Sequence, residues 1–180
     1  MTWDRIARRI RVPLGFVFAA VYLWLARPTG SAIVVGSAIA ALGLLLRGVA
    51  SGHVRKNTEL TVTGPYAYTR NPLYLGSVII AAGFAVAAQG WWVVLAMAVI
   101  FAAIYAPVIR SEETYLRARF PEFEDYCRRV PRFCPRLRAS GGHAGAFSRD
   151  LYWKHREYNA LIGTIAMMAA LAAKLAWIQR

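Results

Sequence analysis

Charged residues are missing from four long stretches of this chain, and their absence predicts its architecture. Val12–Ala26, Pro28–Leu46 and Tyr158–Ala173 carry none, and a longer run extends from Asn71 to Ile109. A single helix over that longest run would measure about 58 Å, nearly twice the ~30 Å hydrocarbon core of a bilayer. Gln89-Gly90 falls near its middle and offers a turn, followed at once by the interfacial pair Trp91-Trp92. The run therefore predicts a hairpin of two helices of roughly 17–18 residues each, at the short end of the spanning range. Its length disfavours a buried hairpin of a soluble protein. The first run is short and ends in Tyr22, Trp24 and Arg27, so flanking arginines are expected to extend it by snorkelling. The last continues past Lys174 to Trp177, and Lys174 is expected to snorkel toward the nearer interface. The pattern predicts one all-α domain over residues 1–180, a polytopic membrane helix bundle with about five transmembrane helices and cytosolic interfacial helices.

Smaller features refine this outline. Gly36, Ala40 and Gly43 give the second run a small-residue face, with Gly48 and Gly52 spaced as GxxxG, which favours close helix packing. Leu116, Phe120, Phe123 and Cys127 recur at three and four residues, an apolar stripe for lipid or for the bundle. Pro121 is suited to open a new helix, with Glu122, Glu124 and Asp125 early in it and Arg128 and Arg129 at its end, as the helix dipole favours. Val130-Pro131-Arg132-Phe133-Cys134-Pro135 then stops it. Ala139 to Gly145 reads as a flexible connection before the last helix.

Composition agrees with a membrane protein: 58% hydrophobic, six Trp and nine Tyr, with a mean hydropathy of +0.39. The net charge of +13 invites a nucleic-acid reading. Its distribution argues otherwise. Basic residues crowd before the first run, between the second and third, and from Arg110 to Arg156; Arg27 alone separates the first two runs, and none lies near Gln89. Alternating loops are rich and poor in Lys and Arg, the positive-inside pattern, which predicts a cytoplasmic N-terminus and a C-terminus on the other side. The basic face is also suited to anionic lipid head groups. The N-terminal forty residues resemble a secretory signal, but their aromatic content and the immediate second run favour a retained anchor. Cys127 and Cys134 have no His partner nearby, and His53, His143 and His155 are scattered, so no metal site is expected.

Chemistry concentrates at the two ends of the long run. At one end stands Gly64-Pro65-Tyr66-Ala67-Tyr68-Thr69-Arg70-Asn71-Pro72-Leu73-Tyr74-Leu75-Gly76, and at the other Arg110-Ser111-Glu112-Glu113. A hairpin returns both ends to one membrane face, so the arginine, the tyrosines and the carboxylates can line one pocket at the lipid boundary. Such an arrangement suits an enzyme. Arg70 can clamp a carboxylate bidentately, or serve as a snorkelling anchor. Glu112 or Glu113 can accept from an ammonium or hydroxyls, although Glu113 and Arg117 also form an ordinary helix pair. Tyr66, Tyr68 and Tyr74 can stack on a base or face a cation, or belong to the interfacial belt. Asn71 is expected to cap the third helix, with Pro72 at its first position.

These motifs, with Glu-Glu-x-x-Leu-x-x-x-Phe, Tyr126 and Val130-Pro131-Arg132-Phe133, resemble the isoprenylcysteine carboxyl methyltransferase and phospholipid methyltransferase superfamily over roughly Leu60 to Pro135. The resemblance implies S-adenosylmethionine as cofactor on the cytosolic side and a lipophilic acceptor entering from the bilayer. It implies cofactor contacts at Leu60, Tyr66, Tyr68, Arg70, Asn71, Pro72, Leu73, Tyr74, Glu112 and Glu113, with Arg110 and Glu112 as the candidate catalytic residues. Many members carry His where this chain has Asn71, which cannot titrate. A carboxylate or thiolate acceptor needs no base, whereas an amine must first lose a proton, which favours an anionic acceptor such as an isoprenylcysteine-type carboxylate. Two alternatives stand beside this reading: an NADPH-dependent membrane reductase of the sterol-reductase-like type, and a non-catalytic membrane protein.

Overall fold

The computed structural model describes residues 16–55, 58–140 and 145–179, and among them every regular element is helical. The start of the first apolar run and most of the glycine-rich connection before the last helix lie outside the described residues. In chain order the helices are α1 (Phe16–Leu25), α2 (Gly30–Ser51), α3 (Pro72–Ala88), α4 (Trp91–Ile100), α5 (Ala106–Arg119), α6 (Phe123–Arg129), α7 (Arg149–Lys154) and α8 (Tyr158–Ile178). A 3₁₀ turn, Gly64–Ala67, precedes α3. Among the described residues, three helices are long and apolar enough to cross a membrane: α2, α8 and the continuous 29-residue helix Trp91–Arg119 that includes α4 and α5. The described part of α1 and the 17-residue α3 are apolar but shorter.

The hairpin of α3 and α4 turns where the sequence places it, with Gln89 in the left-handed region at φ 53°. Its second arm does not stop near Ile109. The helix runs on to Arg119 through a π turn, Phe101–Tyr105, that Ala106 separates from Pro107. A proline ring cannot accept a regular α turn before it, and one wider turn absorbs the conflict without ending the helix. The glutamate pair therefore stands on an extension of the fourth apolar helix rather than on a separate surface helix.

Glycine positions α2 against α3. A Cβ at Gly36 would come within 2.5 Å of the Gly83 carbonyl oxygen, and one at Gly43 within 2.6 Å of the Gly76 oxygen. The reverse additions, at Gly83 and Gly76, meet the Gly36 and Gly43 carbonyls at 2.5 and 2.8 Å. The two antiparallel backbones touch twice, with fully buried Ala40 between the contacts. Small residues allow this approach in lipid, where dispersion contacts rather than water exclusion hold helices together. Gly48 and Gly52 serve different neighbours, facing the rings of Tyr152 and Phe147.

The end of the bundle away from the sequence motifs is tied by polar groups. Tyr22 Oη donates to the Phe84 carbonyl at 2.8 Å, and the Arg27 amide donates to the Ala88 carbonyl at 3.0 Å. Lys174 reaches from α8 to the end of α1. Its ammonium donates to the carbonyls of Leu23, Trp24 and Ala26 at 2.6, 2.8 and 2.6 Å. Those groups lie where α1 ends and would otherwise lack donors, and the negative end of that helix favours a cation.

At the motif end, Pro121 and Glu122 form a turn, and α6 begins at Phe123, later than the sequence suggests. Glu124 and Asp125 in its first turn and Arg128 and Arg129 in its last follow the expected charge pattern. Phe120, Phe123, Tyr126 and Val130 are buried together, with Leu60, Val62, Leu116 and Cys127 against them. The stripe thus closes on the protein's own loop rather than on lipid.

Gly83→Ala is expected to lower stability by about 1–3 kcal/mol, the usual cost of overpacking. Gly163→Ala, whose added methyl meets nothing within 4 Å, should leave stability unchanged or raise it by up to ~1 kcal/mol. Unfolding of the detergent-purified variants checks both. Wild-type stability in Gly83→Ala would show that the α2 and α3 backbones are not in contact.

Candidate active site

The segment before α3 is stitched to the segment after α6. The Ser140 and Arg136 amides donate to the Ala67 and Tyr68 carbonyls at 2.9 and 3.0 Å, and the Arg70 amide donates to the Pro131 carbonyl at 2.9 Å. The Arg132 carbonyl accepts from both Thr69 Oγ1 and Asn71 Nδ2, each at 3.1 Å. Gly64 allows the entry turn: its φ is +59°, and a Cβ there would meet the His53 ring at 2.6 Å.

Asn71 occupies the N-cap position of α3 without a side-chain capping bond, and Pro72 follows at the first helical position. The sequence assigns the Asn71 side chain to the cap; the structure gives it to the 130–136 strap. A buried N–H donor is what this position requires, and the amide supplies it.

Adjacent residues on a helix point about 100° apart, and the glutamate pair divides accordingly. Glu113 is buried, 6% exposed. Its carboxylate accepts from Arg132 Nε at 3.0 Å and from Arg132 Nη2, a bidentate pair. Arg70 Nη1 lies 3.6 Å from the same carboxylate and also donates to the Cys127 thiol. Arg70 Nε is buried with no partner. Glu113 does not pair with Arg117, which instead bonds Glu124 of α6. That bond raises the Arg117 pKa and lowers that of Glu124 at this exposed pair. The bond to Glu113 likewise raises the Arg132 pKa.

Glu112, by contrast, is exposed, and its charge acts on Tyr66. Burial raises the Tyr66 pKa most, and Tyr126, Glu112, Glu157 and Tyr74 push it the same way. Burial also raises the Tyr126 pKa, opposed by Arg70, and Tyr126 Oη donates to the Tyr66 carbonyl at 2.8 Å. Both rings therefore stay neutral phenols. Polar groups of α3, α5 and α6, with Glu157 at the N-cap of α8, all bear on Tyr66.

The remaining sequence candidates are distributed around this centre. Tyr74 meets Tyr105 edge-on at 5.5 Å; Tyr105 stacks on Phe101 at 5.6 Å, and Phe101 meets Phe133 of the strap at 5.5 Å. Tyr68 is partly exposed, and Pro72 is fully buried. Leu60 packs in the α6 cluster. The Leu73 carbonyl accepts from Arg47 at 3.2 Å. Arg110 is exposed. Sequence reasoning missed Arg47 and Glu157, whose side chains pair bidentately at 3.0 and 2.9 Å. Their signal was a lone cation closing one apolar run and a lone acid just before another.

The family model described as phospholipid methyltransferase matches residues 29–122, just over half of the chain, from the start of α2 to the turn before α6. The chain belongs to the phospholipid methyltransferase family. This family lies within the isoprenylcysteine carboxyl methyltransferase superfamily that the motifs resemble. Over 103 residues the chain is 41% identical to the nickel-cobalt-cadmium resistance protein NccN of Alcaligenes xylosoxydans xylosoxydans. It is 37% identical over 103 residues to the cobalt-zinc-cadmium resistance protein CzcN of Cupriavidus metallidurans. Each match covers 54% of this chain and 48% of the relative, so the chain spans about half the length of these curated relatives. No solved structure matches the chain. As a phospholipid methyltransferase family member it carries the Arg70 and glutamate motifs inside the matched region, whereas Arg132 and Glu157 lie beyond it.

Glu113→Gln should cost about 1.5–3 kcal/mol of stability, the worth of a charged hydrogen bond. Glu112→Gln, at an exposed position, should change stability by less than ~0.5 kcal/mol. Unfolding midpoints of the purified variants measure the difference, and equal losses would contradict the separate placement of the two carboxylates.

Proposed function

We propose that this protein transfers a methyl group from S-adenosylmethionine to a lipophilic acceptor with an anionic head, at the membrane boundary where Tyr66, Arg70 and Glu112 converge. Family membership supports methyl transfer over a reductase or a non-catalytic role. The single observation that carries the site assignment is the buried, unpartnered Arg70 Nε. A buried guanidinium with a donor to spare fits a ligand carboxylate, which the methionine portion of the cofactor would present. Glu112, exposed and free of the Glu113 clamp, suits the ammonium or the ribose hydroxyls. Tyr66 and Tyr74 are aromatic neighbours for the sulfonium or the base. The cofactor supplies a methyl group already activated on sulfur.

The protein's residues then have only to bind, orient and exclude water. Arg110 is placed to draw an anionic head toward the glutamate end of α5. Reaction of an anion with a cation destroys charge, so a water-poor site favours it, and alignment contributes much of the remainder. Glu113 is committed to Arg132 and is poorly placed to deprotonate an amine, which favours a carboxylate or thiolate acceptor. The positive-inside pattern supports a cytoplasmic face for this end of the bundle. A modified membrane lipid would also connect this chemistry to the resistance named for the relatives.

Membranes containing the protein and methyl-labelled S-adenosylmethionine should place label in the organic extract. Glu112→Gln should reduce that transfer by at least ~tenfold, the lower bound for losing a charged hydrogen bond. Asn71→His, which keeps a donor for the Arg132 carbonyl, should retain activity, and Asn71→Leu should lose most of it. Label confined to water-soluble products would contradict a lipophilic acceptor.

A further inference from the structure

A groove of about 740 Å³ opens between α2, α7 and α8, apart from the Tyr66 site. Small residues make its floor: Ala41 and Gly48 of α2 and Ala160 of α8. Larger apolar residues, Leu45, Trp153 and Leu161, make its walls, and all three are substantially exposed. From Ala41 to Gly48 the floor follows α2 for about 10 Å. Arg149 of α7 stands at the rim, exposed and without an ion pair among the described residues.

The inner wall is closed. Arg47 and Glu157 both line the groove, and they are paired to each other through two hydrogen bonds. Arg47 also donates to the Leu73 carbonyl and to Ser77 Oγ, which fixes it to α3. Arg47 thus reaches from the groove to the first turn of α3 at Leu73, so the ion pair stands between the groove and the motif segment that opens α3. A molecule lying in the groove is therefore separated from that segment.

We propose that this groove is a resident site for one anionic phospholipid, with an acyl chain along the floor of α2 and the phosphate on Arg149. Charge and position together select this occupant. The lining is apolar with one uncommitted cation at the mouth, and the groove lies where α2 ends and α8 begins, the level at which apolar helices meet head groups. Lys154 and Arg156, exposed and outside the lining, leave this segment net positive against the single carboxylate of Asp150. Trp153, 61% exposed, presents the amphipathic ring that favours this depth. A lipid seated here bridges α2 to the α7–α8 corner and holds Glu157 against Arg47, supporting the methyltransferase site without taking part in its reaction.

Native mass spectrometry of the full chain released from detergent tests this without cofactor, so its outcome is independent of the methyltransferase reading. Phosphatidylglycerol should bind as a single retained molecule, about fivefold more tightly than phosphatidylcholine, the advantage expected of one basic residue near an anionic head. Arg149→Gln should remove that preference, and Leu45→Trp, which fills the groove from an exposed position, should weaken both lipids alike. Inorganic phosphate alone should not displace the lipid. Equal binding of the two lipids to wild type, retention unaffected by Leu45→Trp, or full competition by inorganic phosphate would each overturn the proposal. Transfer of label from S-adenosylmethionine to the retained phosphatidylglycerol would also overturn it, since the occupant would then be an acceptor.

Discussion

The reciprocal backbone contacts Gly36–Gly83 and Gly43–Gly76 hold α2 and α3 at a distance that no side chain permits. Their register determines what can happen at the motif end. One turn beyond Gly43, the stem of Arg47 crosses Gly76, where a Cβ would meet Arg47 Cγ at 2.6 Å. That close crossing carries the guanidinium to the first turn of α3 and to Glu157 of α8. Asn71 and Arg70 immediately precede this pinned turn. A small-residue face in the middle of the bundle thus fixes the direction in which the motif residues leave it.

Above that frame, charge rather than apolar packing specifies the arrangement. Glu113 is buried against two arginines from segments distant in sequence, and removing one member of such a group exposes the others to an uncompensated burial cost. The Arg132 residue contributes twice, its guanidinium to Glu113 and its carbonyl to Thr69 and Asn71. One loop residue therefore couples α5 to the turn that opens α3. Arg70 is the member with a donor unspent, the feature on which the proposed recognition of a ligand carboxylate rests.

Much of this was legible in the sequence because the signals were local. The absence of charge from Asn71 to Ile109, the Gln89-Gly90 turn and the Gly36–Ala40–Gly43 face each follow from neighbouring residues, and the structure follows them. The motif at Gly64–Gly76 and the Glu112-Glu113 pair do converge at one end of the bundle. What could not be read was partner choice over long separations. Nothing near Arg47 names Glu157, nothing near Lys174 names the end of α1, and nothing near Asn71 names the Arg132 carbonyl. The fourth helix outran the end of its charge-free run because charge marks where lipid ends and not where a helix must stop; a π turn before Pro107 lets it continue to Arg119. The two glutamates looked equivalent as neighbours, and only the helix phase, with Arg132 arriving from the strap, separated a clamped carboxylate from an open one.

Whether the bundle end bearing Tyr66, Arg70 and Glu112 holds S-adenosylmethionine, as proposed above, decides the functional reading. Equilibrium binding of S-adenosylmethionine and NADPH, side by side, to the detergent-purified protein tests it most directly. Saturable binding of S-adenosylmethionine and none of NADPH is expected; binding of NADPH alone, or of neither, would contradict the proposed function.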